Sequence, residues 1–280
     1  MRNFAIRTLT AIAYVALLTG CTVYSPVTAF FFFAIAAAAC VWEFCGLMNK
    51  YAGATLVPSL HALGAILLTG AVWLMCIGNE AAGKTIALYG FLLLYIVISE
   101  LYRRAENPLR NWSLSILSQL YIALPFSLLP MLSIKFDSVE GRFSYTWMYP
   151  MALFVFLWLN DTGAYLFGVS LQRYFPKKLF PRVSPRKSWI GSIGGALLTL
   201  TAALLVWHFV PGTLTLWQWL GFAAVVILFG TWGDLVESLL KRHLGIKDSG
   251  NILPGHGGML DRFDSALLAI PAVVIYFILI

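Results

Sequence analysis

Along most of this chain the apolar positions run on for roughly twenty residues at a time before a charged or turn-forming group interrupts them. About 20 such residues, rising about 1.5 Å each as an α-helix, cross a hydrocarbon layer of about 30 Å. Stretches of this kind fall near residues 8–24, 28–48, 55–77, 85–102, 111–134, 147–171, 190–210, 216–238 and 263–280. The pattern predicts an all-α, polytopic membrane protein of about nine transmembrane helices joined by short polar segments. Residues 1–150 read as an N-terminal, lipid-facing scaffold. Residues 151–280 read as helices that carry the chemistry, the whole forming one integral membrane unit.

Composition strengthens this reading. Of 280 residues, 60% are apolar and 11% charged, against about 25% charged in soluble domains. The net charge of +7 raises the question of nucleic acid, which its distribution answers. With the N-terminus inside, 16 of the 19 basic residues fall in inner segments, and only Lys84, Lys135 and Arg142 fall outside. Short loops rich in Lys and Arg stay cytoplasmic. The charge therefore sets topology, with a cytoplasmic N-terminus, and no nucleic-acid partner is expected. The four cysteines (Cys21, Cys40, Cys45, Cys76) lie in or beside apolar spans with no metal or pairing spacing, and read as small buried hydrophobes.

Three motif matches need context. Gly78–Thr85 fits the phosphate-loop pattern G-x-x-x-x-G-K-T, but that loop works only between a strand and a helix. Here it follows a membrane span and is expected to be a plain loop. Leu18-Thr19-Gly20-Cys21 resembles a lipoprotein cleavage site; a retained first helix is the expectation, because such signals usually precede exported soluble domains. Asn111-Trp112-Ser113 and Asn160-Asp161-Thr162 match the glycosylation pattern, yet one is predicted inside and the other within the membrane.

The candidate chemistry is C-terminal. Asp234, Glu237, Ser238 and Lys241 are spaced i, i+3, i+4, i+7, which places them on one helical face. Arg242, Lys247 and Asp248 follow, then Pro254-Gly255-His256-Gly257-Gly258, then Asp261-Arg262 and Asp264. A charged side chain at a membrane boundary costs several kcal/mol unless paired or bound to an ion, so such a run is a functional-site candidate. Carboxylates can hold Mg²⁺, Lys and Arg can hold phosphate, and a Gly-rich turn lets backbone N–H groups approach an anion. Asp261 and Asp264 can also be read as helix caps, although one cap would suffice. Asp161 lies mid-span among small residues, where close helix packing can bury it against a partner. The basic loop 172–188 contributes Ser184, Arg186 and Lys187 as phosphate-binding candidates. Glu43 and Glu100, near inner span ends, are expected to pair with nearby Lys or Arg.

Ser238-Leu239-Leu240-Lys241-Arg242, Lys247-Asp248, Pro254–Gly258 and Asp261-Arg262-Phe263-Asp264 together resemble the signature of the phosphatidate cytidylyltransferase (CDP-diacylglycerol synthase) family. Asn160–Tyr165 and Ser184-Pro185-Arg186-Lys187-Ser188-Trp189 look like further family segments, in the expected order. One departure is Ile190 before Gly191, where the family's loop continues with Glu. The resemblance implies transfer of a cytidylyl group from CTP to phosphatidate, giving CDP-diacylglycerol and pyrophosphate in phospholipid biosynthesis. It implies Mg²⁺, with room for a second cation, held by Asp234 and Asp261 with Asp264 or Asp248 in support. Asp234, Asp261, Lys241 and Arg262 become the catalytic candidates. Ser184, Lys187, Ser238, Arg242, Lys247, His256, Gly257 and Gly258 become the substrate-binding ones. CTP, phosphatidate and membrane lipid are the expected partners, with a homodimer left open. The expected setting is the cell (inner) membrane, with the active site on its cytoplasmic side. Rival readings are a CTP-dependent polyprenol or lipid kinase, an ion-coupled transporter and a catalytically inactive scaffold.

Overall fold

The computed structural model describes residues 2–137, 141–250 and 257–280, with side chains from Thr8 onward. Among these residues the helices are α1 (Arg2–Tyr24), α2 (Pro26–Tyr51), α3 (Pro58–Cys76), α4 (Ala81–Arg103), α5 (Pro108–Ser133), α6 (Met148–Leu171), α7 (Trp189–Phe209), α8 (Leu216–His243) and α9 (Leu260–Leu279). Eight are long and apolar enough to cross a membrane, and α1 adds the shorter apolar stretch Thr8–Tyr24. Each predicted span thus has its helix, and the chain is a multi-pass membrane protein.

Two short antiparallel hairpins interrupt the helical pattern. β1 (Ile134–Asp137) pairs with β2 (Arg142–Tyr145), from Ile134↔Tyr145 to Asp137↔Arg142. β3 (Lys178–Phe180) pairs with β4 (Ser184–Ser188) through an irregular register that opposes Lys178 to Ser188 and Phe180 to Ser184. Both lie in polar connections that sequence periodicity leaves blank.

The helix starts follow local chemistry. Proline opens α2, α3 and α5, where its missing N–H costs nothing because the first turn leaves N–H groups unpaired anyway. Ser25 and Asn107 accept the N–H groups of Thr28 and Arg110, each such cap contributing about 1 kcal/mol. Thr215 and Gln218 form a reciprocal capping box at the start of α8. The Gly78–Thr85 stretch has a helix before it and enters α4 at Ala81, so it lacks the strand that a phosphate loop requires.

Cα packing divides the chain into two units. One comprises Met1–Tyr149 with Asp248–Phe263; the other comprises Pro150–Lys247 with Asp264–Ile280. In the first unit α2 is the core element, burying Phe33, Val41, Phe44 and Met48. The ring of Phe263 stands edge-on to Phe126 at 4.8 Å and to Tyr14 at 5.7 Å. Glu100 pairs with Arg103 at 3.0 Å and accepts Asn111 Nδ2 at 2.9 Å. That ion pair is the one expected, and the second oxygen of Glu100 holds the buried Asn111.

The second unit has an aromatic core in which Phe222 meets Phe156, Trp219 and Phe277 at centroid distances of 5.2 to 5.8 Å. Pairs of this kind each contribute about 0.5–1.5 kcal/mol beyond burial. Helices in lipid associate through packing rather than through a hydrophobic drive, so small residues matter. A Cβ on Gly163 of α6 would sit 2.8 Å from Gly195 Cα, and one on Gly191 of α7 would sit 2.7 Å from Ala164 O. These glycines let α6 and α7 touch backbone to backbone around Asp161.

Candidate functional site

In the second unit, α6, β4, α7 and α8 line a cleft of about 240 Å³ whose polar residues include Asp161, Arg186, Lys187, Thr231 and Asp234. Lys187 Nζ lies 2.6 Å from Asp234 Oδ2, and Ser238 Oγ donates to Asp234 Oδ1 at 3.1 Å. Asp234 is therefore held from both sides, by a cation from the hairpin and by a hydroxyl one helical turn on. The hairpin delivers Lys187 because Ser188 ends β4 and also caps α7, accepting Gly191 N–H at 3.2 Å. Asn160 Nδ2 reaches Thr231 Oγ1 at 3.4 Å, tying α6 to α8 beside the cleft.

Asp264 belongs to the same unit. A Cβ on Gly233 would lie 2.6 Å from Asp264 O, so α8 meets α9 by bare backbone next to Asp234. The carboxylates of Asp161, Asp234 and Asp264 lie within electrostatic reach of one another. Lys241 makes an i, i+4 ion pair with Glu237, which is fully buried. Removing water from that pair strengthens their attraction and fixes Lys241 on α8. Arg242 and Lys247 are exposed, the former donating to Ile246 O at 3.3 Å. Ser184 stands at the far end of β4, outside the cleft lining.

The first unit holds the remaining predicted residues, in the segment Asp248–Phe263. Asp261 Oδ2 accepts the N–H groups of Ser249 and Gly258, both at 2.9 Å. Asp261 lies in the first turn of α9, and one of its oxygens fastens two parts of this segment. Gly257 has φ +82°, a left-handed conformation open mainly to glycine, and its missing Cβ leaves room for the Asp261 carboxylate. Asp248 and Arg262 are exposed. His256, with Pro254 and Gly255, lies outside the described residues. Among the described residues, no three His, Cys, Asp or Glu side chains converge as a ready-made metal cage.

Residues 5–280 match the model of the cytidylyltransferase family. The chain belongs to that family. Similar curated proteins include the phosphatidate cytidylyltransferase of Staphylococcus aureus (strain COL), 48% identical over 130 residues, which are 46% of this chain and 49% of that protein. The phosphatidate cytidylyltransferases of Staphylococcus saprophyticus and Staphylococcus haemolyticus are each 45% identical over 130 residues. The matched stretch spans about half the length of these curated relatives.

Two features of this family member escape sequence reasoning. Asn160 and Thr231 form a side-chain bridge that no spacing rule announces. Among the described residues Glu43 does not find the Lys or Arg partner expected for it. Buried at 7% exposure, it accepts Leu260 N–H at 2.8 Å, and its observed partners among the described residues come from the Asp248–Phe263 segment. The signal was present as a carboxylate inside an apolar run; its partner lies 217 positions away, beyond any local pattern.

Proposed function

We propose that this chain transfers a cytidylyl group from CTP to phosphatidate, producing CDP-diacylglycerol and pyrophosphate for phospholipid biosynthesis. Family membership and the names of its relatives support the reaction class. The observation that carries it is the cleft in which Lys187 meets Asp234 beside Asp161 and Arg186, built from helices of membrane length.

A phosphate oxygen of phosphatidate attacks the α-phosphorus of CTP and forms the new P–O bond. The bond from that phosphorus to the bridging oxygen breaks, and pyrophosphate leaves with the electron pair. Such transfers depend mainly on positioning and charge neutralisation, with little need for a covalent nucleophile. Lys187, Lys241, Arg242, Lys247 and Arg262 supply positive charge for the phosphates, and Ser184, Ser238 and the Gly257-Gly258 amides supply donors. Lys187 also holds the Asp234 carboxylate oriented before substrate arrives.

The donor set suits Mg²⁺. It is all oxygen, and Mg²⁺ ordinarily takes one or two carboxylates, completing its shell with water and substrate phosphates. A three-carboxylate cage is thus not required. Asp234 and Asp261 would hold the ion, supported by Asp264 or Asp248, and a second cation would use the carboxylates left over. When bound, Mg²⁺ neutralises phosphate charge and orients the leaving group. The acyl chains stay in lipid while the headgroup is worked on. The distribution of Lys and Arg supports a cytoplasmic N-terminus and a site at the cytoplasmic face of the cell membrane.

The test is pyrophosphate release by the detergent-purified protein given CTP, phosphatidate and Mg²⁺, with Asp261→Asn as control. The amide oxygen of Asn can still accept from Ser249 and Gly258, so the fold persists while the charge is lost. Release that needs all three components and vanishes in the variant is expected. Release of CDP instead would convert the reading to a lipid kinase, and near-normal turnover in Asp261→Asn would remove the metal assignment.

A further inference from the structure

We propose that Glu43, on α2 of the N-terminal unit, is a positioning residue for the segment that carries Gly258 and Asp261; the catalytic side of this inference rests on the function proposed above. The residue lies 191 positions before Asp234, the first candidate ligand on α8. The fold nevertheless puts its carboxylate against residues 249–250 and 258–260.

Three observations converge. Glu43 Oε2 accepts the N–H of Leu260, the first residue of α9, at 2.8 Å in a buried setting. Glu43 Oε1 is buried beside Ser249 Oγ, and among the described residues neither atom has a well-formed hydrogen-bond partner. A Cβ on either Gly250 or Gly258 would collide with Oε1, so two stretches of the segment close around this one oxygen. Asp261 also joins the same two stretches, accepting Ser249 N–H and Gly258 N–H.

The two carboxylates therefore clamp residues 249–250 to 258–260, Glu43 from α2 and Asp261 from α9. Placing a charge in an apolar helix is costly. A stabilising role in packing would be served equally well by Leu or Met of similar volume, at no such cost. A carboxylate offers two acceptors, and Leu260 N–H, one of the orphan donors of a helix start, needs an acceptor there. Glu43 touches no reacting atom; it acts by fixing where the Gly258 amide and the Asp261 carboxylate point.

The experiment compares full-length wild type, Glu43→Gln and Glu43→Ala, purified in detergent. It measures hydrogen–deuterium exchange by peptide and, separately, pyrophosphate release from CTP and phosphatidate. Glu43→Ala is expected to speed exchange across residues 257–263 about tenfold, with peptides of Pro150–Lys247 unchanged. It is also expected to lower kcat by about 10- to 100-fold, the scale of a misplacement near 1 Å, with KM for CTP changed by less than threefold. Glu43→Gln keeps an acceptor oxygen and the volume, and should restore both readouts to within about threefold. Unchanged exchange in Glu43→Ala overturns the proposal, as does faster exchange throughout the protein. Failure of Gln to rescue would assign the effect to charge and likewise overturn it. An inactive wild type whose exchange responds locally to Glu43→Ala would sink the proposed reaction and leave the positioning role standing.

Discussion

Replacing Gly233 with Ala tests how much the site owes to backbone contact between helices. The new Cβ would lie 2.6 Å from Asp264 O, 2.9 Å from Ser265 O and 3.0 Å from Ser265 Cα, all on the α9 backbone. Ordinary contact begins near 3.4 Å, so α8 and α9 must part by about 0.8 Å beside Asp234. A backbone cannot rotate away as a flexible side chain would. Overpacking of this kind costs about 1–3 kcal/mol, offset in part by the roughly 1 kcal/mol by which Ala exceeds Gly in helix propensity. The net loss of stability should be about 0–2 kcal/mol, a modest fall in melting temperature. The functional loss should be larger. Displacement approaching 1 Å near reacting groups costs on the order of 100-fold, so pyrophosphate release should drop by tens of fold while the protein stays folded. Gly90→Ala on α4, with no atom within 4 Å of the added Cβ, is the control and should be silent. Full activity in Gly233→Ala would refute the claim that the approach of α8 to α9 sets the geometry around Asp234.

Three further outcomes are expected. Lys187→Met should leave Asp234 without its cation and lower activity by more than about 100-fold, read as kcat in the same assay; activity within threefold of wild type would contradict it. Ile190→Glu, at the start of α7, should give equal or higher turnover by restoring an acidic side chain, and a loss beyond tenfold would count against that. Burial pushes the Tyr145 phenol from about 10 up to about 12, and its hydroxyl donates to Thr22 O. A raised acid contributes stability below its unfolded value that is lost as pH climbs from about 10 to about 12. Thermal melts of wild type should therefore weaken over that window, and Tyr145→Phe should flatten the dependence.

The helices were legible because a membrane span needs only length and apolarity, both local properties. The pattern placed α8 at 216–238, yet the helix runs on past Ser238 through Lys241 and Arg242 to His243, since a polar last turn adds no apolar signal. The β3–β4 hairpin was not legible. Ser184–Ser188 carries no alternation of apolar residues, and it is a strand because it pairs with Lys178–Phe180. The charged candidates on α8 were found by helical spacing, and Asp234 with Ser238 shows that spacing as a hydrogen bond. Glu43 was misassigned because proximity in sequence suggested a nearby Lys or Arg, whereas the tertiary fold supplied Leu260.

The order of the chain has a consequence for biogenesis. The unit that begins at Met1 is completed only by Asp248–Phe263, and Pro150–Lys247 must be synthesised in between. At translation rates of about 5–20 residues per second, that interval lasts about 5–20 s. Throughout it the Glu43 carboxylate sits in an inserted helix without the Leu260 amide, an unstable arrangement in lipid. A ribosome stalled after α8 would thus leave a marked, unfinished product for membrane proteases. Expressing the chain as two pieces cut near residue 150 would also require the second piece to return part of itself to the first.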